Sequence, residues 1–329
     1  MPYLSSPIDG ARLVYSDYGP PPPSDSSSAN AELKPFQPSN TLTTTPLPTL
    51  AESFTLVFLH GWPMSSRMFT HLMLPLSQNH GIRCVAPDRR GFGKSEWGGI
   101  SGEDKDTRQE MTTTYDTFAA DTRAVLQHAG IDGNWAFAAA SMGCGEALLA
   151  CEGLEEGLKE RFKGFIWMGP SLPFPLQCES NPTAPPRELW DTILQGLRDD
   201  RVGFVREAIH GVFGTRADMG LGIVSRLPPY FEDIVKQADA LAVERCTMII
   251  TGRDLSEELK KVDRRVLVLH GDGDQGMPAS ASAHLIEKLV PVDLCEVKIY
   301  EKAAHGLYLT HAGQVMEDIL RFVSTASPS

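Results

Sequence analysis

A serine, a pair of aspartates and a histidine occur in that order along the chain, each at the end of a short apolar run. Ala139-Ala140-Ser141-Met142-Gly143 follows the apolar run WAFAA and opens the helical pattern GCGEALLACEGL. A small-x-Ser-x-small turn between strand and helix holds a serine hydroxyl clear of the backbone in a strained conformation, and bulky neighbours would clash there. The plainer reading of Ser141 is a helix-capping serine. A strand directly before and a helix directly after favour the nucleophile.

A hydroxyl at neutral pH needs a general base, which is in turn oriented by an acid. In this arrangement the acid and then the histidine follow the serine. The histidines after Ser141 are His210, His270, His284, His305 and His311. His210 and His284 fall within helical patterns and His270 ends a strand, whereas His305 sits in the loop Ala303-Ala304-His305-Gly306. His311 reads as a helix-start residue. The acid lies in Gly271-Asp272-Gly273-Asp274-Gln275-Gly276, where either aspartate could form a turn. Asp274 is deeper in the loop and is preferred because it could reach back to His305.

Acyl transfer also needs two backbone N–H groups aimed at the developing oxyanion. Met142, the residue after the nucleophile, supplies one. Leu59-His60-Gly61-Trp62-Pro63 follows an early apolar run and makes the Trp62 N–H the second, with Gly61 allowing close approach. Phe174, Trp190 and the Trp62 ring are candidate apolar walls for a substrate; equally, Phe174 and Trp190 could simply pack one layer on another. Asp88-Arg89-Arg90-Gly91-Phe92-Gly93-Lys94-Ser95 looks like a phosphate cradle, but it lacks both phosphate-loop spacings and reads as a structural loop.

Elements that position these residues follow from the alternation of apolar runs with helical patterns, which predicts a parallel sheet with helices on both faces. Expected strands cover about 11–16, 54–59, 83–86, 135–140, 164–168, 266–270 and 295–300. Expected helices cover 65–78, 115–129, 142–153, 279–289 and 312–324. Residues 171–260 break the rhythm with a Pro-rich entry and helical segments near 187–199, 201–212 and 229–242. They read as a helical cap over the carboxyl edge of the sheet, between core segments 1–170 and 261–329. Residues 20–50, rich in Pro, Ser and Thr, read as a disordered insertion, and 98–114 as a second polar one.

The 329 residues carry 30 Lys plus Arg against 42 Asp plus Glu, a formal net charge of −12. That balance repels phosphate backbones and argues against a nucleic-acid partner. The six cysteines show no metal-site spacing and read as buried thiols. With no leader pattern and no apolar run of about 18 residues, the expectation is a cytoplasmic protein without membrane contact. Its oligomeric state is left open.

The blocks HGWPMSSRMF, VAPDRRGFGKS, YDTFAAD, AASMGCGEAL, LHGDGDQGMP and KAAHGLYLTH, in this order across nearly all of 54–325, resemble the cofactor-free haloperoxidase and esterase branch of the α/β-hydrolase fold. The cap segment NPTAPPRELWDTILQGLRDDRVGF is similar to that branch as well. Both insertions, Ala139 and Cys144 depart from its usual pattern. The resemblance implies a Ser141, Asp274, His305 triad, an oxyanion hole from Trp62 and Met142, no metal or haem cofactor, and cleavage of small or medium apolar esters or lactones. It further implies a side activity forming peracids from carboxylic acids and peroxide. Two other readings remain at this level: a natural-product tailoring hydrolase opening a lactone, thioester or epoxide, and a hydrolase-fold receptor that captures a ligand.

Overall fold

The computed structural model describes residues 1–19, 53–98, 113–223 and 227–326. The expected insertion at 20–50 and most of that at 98–114 lie outside the described residues. Eight strands form one sheet: β1 Tyr3–Ser5, β2 Arg12–Tyr18, β3 Phe54–Leu59, β4 Arg83–Pro87, β5 Asn134–Ala140, β6 Phe162–Met168, β7 Arg265–Gly271 and β8 Cys295–Tyr300. Their spatial order is β1-β2-β4-β3-β5-β6-β7-β8. β2 pairs antiparallel with both β1 and β4, and every later pair is parallel. Central strands β3 and β5 are buried almost throughout, as expected where helices cover both faces.

Helices α1 Thr70–His80, α2 Tyr115–Ala129, α3 Met142–Glu152, α4 Glu156–Arg161, α9 Ala283–Leu289, α10 Leu307–Thr310 and α11 Ala312–Ala326 connect or follow the strands. Between β6 and β7 run α5 Arg187–Val212, α6 Pro228–Lys236, α7 Ala240–Ile250 and α8 Ser256–Leu259. The expected break between 187–199 and 201–212 appears as a kink at Asp200, whose side chain accepts the Gly203 N–H and starts the helix anew. A single helix over 229–242 is not what forms. α6 ends at Lys236, Asp239 caps α7 by accepting the Leu241 and Ala242 N–H groups, and α7 continues to Ile250. The expected helices at 65–78 and 279–289 each begin as a short 3-10 turn. β1, α4, α8 and α10 are additions to the expected elements.

Parallel pairing puts the carboxyl ends of β3, β5, β6, β7 and β8 in one row. Leu59 lies beside Ala139, Ala140 beside Met168, Met168 beside Leu269, and Gly271 beside Tyr300. The loops that leave these five ends carry Trp62, Ser141, Ser171, Asp274 and His305.

The loop 88–95 is structural, as its residue pattern suggested. Asp88 accepts N–H groups from Ser66 and Lys94, and its carbonyl accepts the Ser95 hydroxyl. Buried Arg90 is clamped by Asp121, Asp9 and Ser6. Arg89 reaches from this loop to Glu146 of α3 at 2.6 Å and to the His60 carbonyl at 2.7 Å, with 2% of its side chain exposed and 4% of that of Glu146. Thr122 of α2 donates to the other Glu146 oxygen.

This buried ion pair ties the loop after β3 to the helix after Ser141. Removing one partner strands a charge in a dry interior. Arg89→Met is therefore expected to lower unfolding stability by about 3–5 kcal/mol, measured by urea titration; an unchanged midpoint would show that the pair does not hold these layers together.

Candidate active site

β5 runs into α3 with one residue between them, Ser141, at φ 52° and ψ −120°. Lys302 is the one other non-glycine residue at positive φ among the described residues. Such a conformation costs on the order of 1–3 kcal/mol and persists where its surroundings enforce it. Two bonds enforce this one: Ser141 N–H donates to Met168 O at 3.1 Å, and Cys144 N–H donates to Ser141 O at 3.0 Å. A Cβ on Gly143 would lie 2.3 Å from Leu59 O, so any side chain there would prise α3 off β3. Gly61 is packed so that a Cβ would stand 3.1 Å from that of Ser141. Although Ser141 begins α3, its side chain makes no capping hydrogen bond, which argues against the helix-capping alternative.

His305 and Asp274 meet. The His305 Nδ1–H donates to Asp274 Oδ2 at 2.6 Å, and the other carboxylate oxygen accepts N–H groups from Gly276 at 3.0 Å and Met277 at 2.9 Å. Asp274 is fully buried at its side chain, whereas His305 remains 20% exposed. Asp272, the other aspartate considered, is exposed. Burial opposes the charged form of Asp274, but the charge and hydrogen bond of His305 outweigh it and hold the carboxyl below the ordinary carboxylate value. Burial likewise works to lower His305, and Asp274 overrides it, raising the imidazole above its ordinary 6.5.

The other histidines of the site region differ. Burial and the neighbouring Arg89 hold His60 well below its ordinary value. It stays neutral, with Nδ1–H donating to Gly61 O and Nε2 accepting the Arg89 N–H, so it shapes the loop before Trp62. His270 is buried, bonds Gly271 O, and leaves Nε2 3.9 Å from Asp274. His210 bonds Thr215, and His311 bonds Thr310 and packs on Tyr300, so neither serves Asp274.

β8 lies three strands from β5, about 14 Å at ordinary strand spacing. The His305 loop spans this by leaning over the end of β6. There Gly169, at φ 54°, offers no side chain, and a Cβ would come within 3.4 Å of His305 Nδ1. Two residues on, Ser171 Oγ lies 3.0 Å from Ser141 Oγ, and Ser171 N–H donates to Ser141 O at 3.4 Å. Gly169, Pro170 and Ser171 thus touch both the serine and the histidine. The Ser141 hydroxyl bonds Ser171 here rather than His305. Ser171 was not among the residues singled out from sequence; its one signal was a place directly after a buried strand whose neighbours end in chemistry-bearing loops.

No hydrogen bond from the Trp62 or Met142 backbone N–H to a protein acceptor occurs among the described residues; Met142 directly follows Ser141, and Trp62 directly follows Gly61, which is packed against that serine. The Trp62 indole N–H donates to Val243 O of α7, and Trp190 Nε1–H to Pro175 O at the entry to the helical segment. Phe174 is half-buried, with its carbonyl accepting from Asn181. The Trp62 bond ties the loop after β3 to α7, the Trp190 bond lies within the helical segment, and no hydrogen bond among the described residues links Trp190 or Phe174 to Ser141.

The expectation of six buried thiols holds for Cys84, Cys144 and Cys246; Cys151, Cys178 and Cys295 are half-buried. Burial pushes Cys151 and Cys246 up to about 12 and Cys295 to about 11. At neutral pH these three carry almost no thiolate, the form in which a cysteine acts as a nucleophile.

A serine on a strained strand-to-helix turn, with a histidine–aspartate pair on later loops of a mostly parallel sheet, is the arrangement of an α/β hydrolase. A profile of the alpha/beta hydrolase fold family matches residues 55–312, and the chain belongs to that family. It is 29% identical over 318 residues to a non-heme chloroperoxidase of Streptomyces lividans, covering 96% of this chain and 98% of that one. It is 27% identical over 268 residues to the bifunctional esterase/perhydrolase DCH of Acinetobacter calcoaceticus, covering 81% and 90%. Among solved structures, a bromoperoxidase from Bacillus anthracis matches with a TM-score of 0.74 at 24% identity, over 98% of this chain and 99% of that one. An esterase from Exiguobacterium antarcticum matches at 0.75 and 20% identity, over 98% of each. The chain is thus a hydrolase similar to the non-haem haloperoxidase and esterase branch. No described helix is long and apolar enough to cross a membrane.

Asp274 is the one influence raising His305. Asp274→Asn should drop the imidazole titration midpoint below 6.5, followed by proton NMR; a midpoint still above 6.5 would mean that another group charges the ring.

Proposed function

We propose that the protein is a serine hydrolase that cleaves a small or medium apolar ester or lactone through an acyl-enzyme on Ser141. The observation that carries this reading is the strained Ser141 turn beside the 2.6 Å His305–Asp274 bond. In the neutral resting state Asp274 accepts a hydrogen bond from the Nδ1–H of His305, which fixes the proton on Nδ1 and leaves Nε2 as a proton acceptor. Ser141 Oγ attacks the acyl carbon as its proton passes to Nε2. Trp62 and Met142 N–H groups receive the oxyanion, and His305 returns the proton to the departing alcohol. Water, deprotonated by His305, then releases the acid.

The α3 amino terminus adds its positive dipole end beside Met142, where negative charge develops. No step requires a metal or organic cofactor. Residues 171–260 act as a cap over the strand ends of the core segments 1–170 and 261–329. Trp62, Phe174 and Trp190 supply apolar walls, which suits a neutral substrate despite the acidic net charge. The names of the relatives, which include an esterase/perhydrolase and chloroperoxidases, support peracid formation as a side activity, with hydrogen peroxide replacing water against the same acyl-enzyme.

Ser141→Ala should cut turnover of an activated aryl ester by about ten-thousand-fold or more and abolish fluorophosphonate labelling; an unchanged rate would remove Ser141 from the reaction. For a neutral ester, kcat/KM should fall as the pH drops through a midpoint above 6.5, because protonated His305 cannot accept the Ser141 proton. A profile flat to pH 5, well below that midpoint, would exclude His305 as the base.

A further inference from the structure

We infer that Ser171 is a catalytic residue of the second half-reaction, donating a hydrogen bond to Ser141 Oγ as that oxygen leaves the acyl group. The inference rests on Ser141 being the nucleophile. Ser171 is held in place by two contacts to Ser141 and by a third, made by its neighbour Pro170, to the start of α9. Its Oγ is 3.0 Å from Ser141 Oγ, and its N–H donates to the Ser141 carbonyl. The carbonyl of the preceding Pro170 accepts the buried Ser282 hydroxyl at 2.7 Å, which pins the loop to the start of α9. Ser171 is half-buried and reaches the nucleophile from β6, a different strand end from those bearing the base and the oxyanion donors.

The direction of the hydrogen bond follows from proton counting. Neutral His305 carries its proton on Nδ1 and donates it in a hydrogen bond to Asp274, so its Nε2 is purely an acceptor and takes the single Ser141 proton at attack. The Ser141–Ser171 bond then survives only with Ser171 as donor. During acylation Ser141 Oγ passes from a hydroxyl to an ester oxygen, a poorer acceptor, so the Ser171 bond weakens and gives no acceleration. During deacylation the change reverses. Water adds to the acyl carbon and gives its proton to His305. The carbon–Oγ bond then breaks, the bonding pair stays on Oγ, and His305 passes its proton there. Oγ becomes a stronger acceptor as that bond breaks, so the Ser171 bond is stronger in this transition state than in the acyl-enzyme, the condition for accelerating the step. Ser171 keeps its own proton throughout.

The test compares wild-type protein with Ser171→Ala, Ser171→Val and Ser171→Thr on 4-nitrophenyl acetate, an ester activated enough for deacylation to limit turnover. The expected result for Ala and Val is a drop of about tenfold in kcat with a matching drop in KM. Their kcat/KM should stay within about twofold of wild type, and a near-stoichiometric burst should accompany an acetyl adduct on Ser141 seen by intact-mass and peptide mass spectrometry. Thr, which has nearly the shape of Val but keeps a hydroxyl, should restore kcat. A purely structural role would lower kcat/KM as well, without accumulation of adduct, and would overturn the inference. So would unchanged kcat in Ala and Val, or equal losses in Val and Thr. If wild-type protein itself takes no acetyl or fluorophosphonate adduct on Ser141, it is the nucleophile assignment that fails, an outcome distinct from every result of the Ser171 series.

Discussion

Everything at the carboxyl edge of the sheet is arranged around the single residue between β5 and α3. With no spacer to relax the turn, Ser141 takes a backbone conformation that a non-glycine residue adopts at a cost of on the order of 1–3 kcal/mol. Hydrogen bonds to Met168 and from Cys144 hold it there, and the bare face of Gly143 lets α3 lie against Leu59. The same turn puts the Met142 N–H at a helix amino terminus beside the hydroxyl. The strain, the placement of the hydroxyl and the free amino terminus of α3 are thus consequences of one short connection.

Two buried charge systems flank that turn and have different work. Arg89 and Glu146 are locked with the His60 carbonyl and Thr122, and they fix the separation of the β3 loop from α3. Asp274 and His305 are instead a hydrogen-bonded pair whose imidazole is partly exposed. Three imidazoles near the edge share a buried environment, yet His305 alone of the three is raised. A 2.6 Å hydrogen bond to a carboxylate outweighs burial at His305. His60 faces Arg89 and is pushed down, and His270 stands 3.9 Å from the carboxylate without bonding it and is also lowered.

The helical segment between β6 and β7 shows how far periodicity carries and where it fails. The kink at Asp200 falls between the two helices expected there, because an aspartate that can cap a new helix is visible as a residue type. The boundary between α6 and α7 was missed. Asp239 caps α7 in the same way, but its own N–H is drawn to Gly91 O of the sheet layer, a partner some 150 residues away. Ser282 similarly splits the expected helix at 279–289 while donating to Pro170. In each case a long-range hydrogen bond decided a local boundary.

From residue order alone came the parallel core, the Ser141 turn and a preference for Asp274 and His305, since these depend on local spacing and on which loops follow which strands. Even the choice between Asp272 and Asp274 could be argued from depth in the loop. What no spacing could tell is that the ends of β5 and β8, three strands apart, are bridged across a glycine at the end of β6, or that a serine in that same loop stands 3.0 Å from the Ser141 hydroxyl. Gly169 and Ser171 carry no motif. Their significance comes from strand order, which is set by the packing of the whole sheet and appears in no stretch of sequence short enough to recognise.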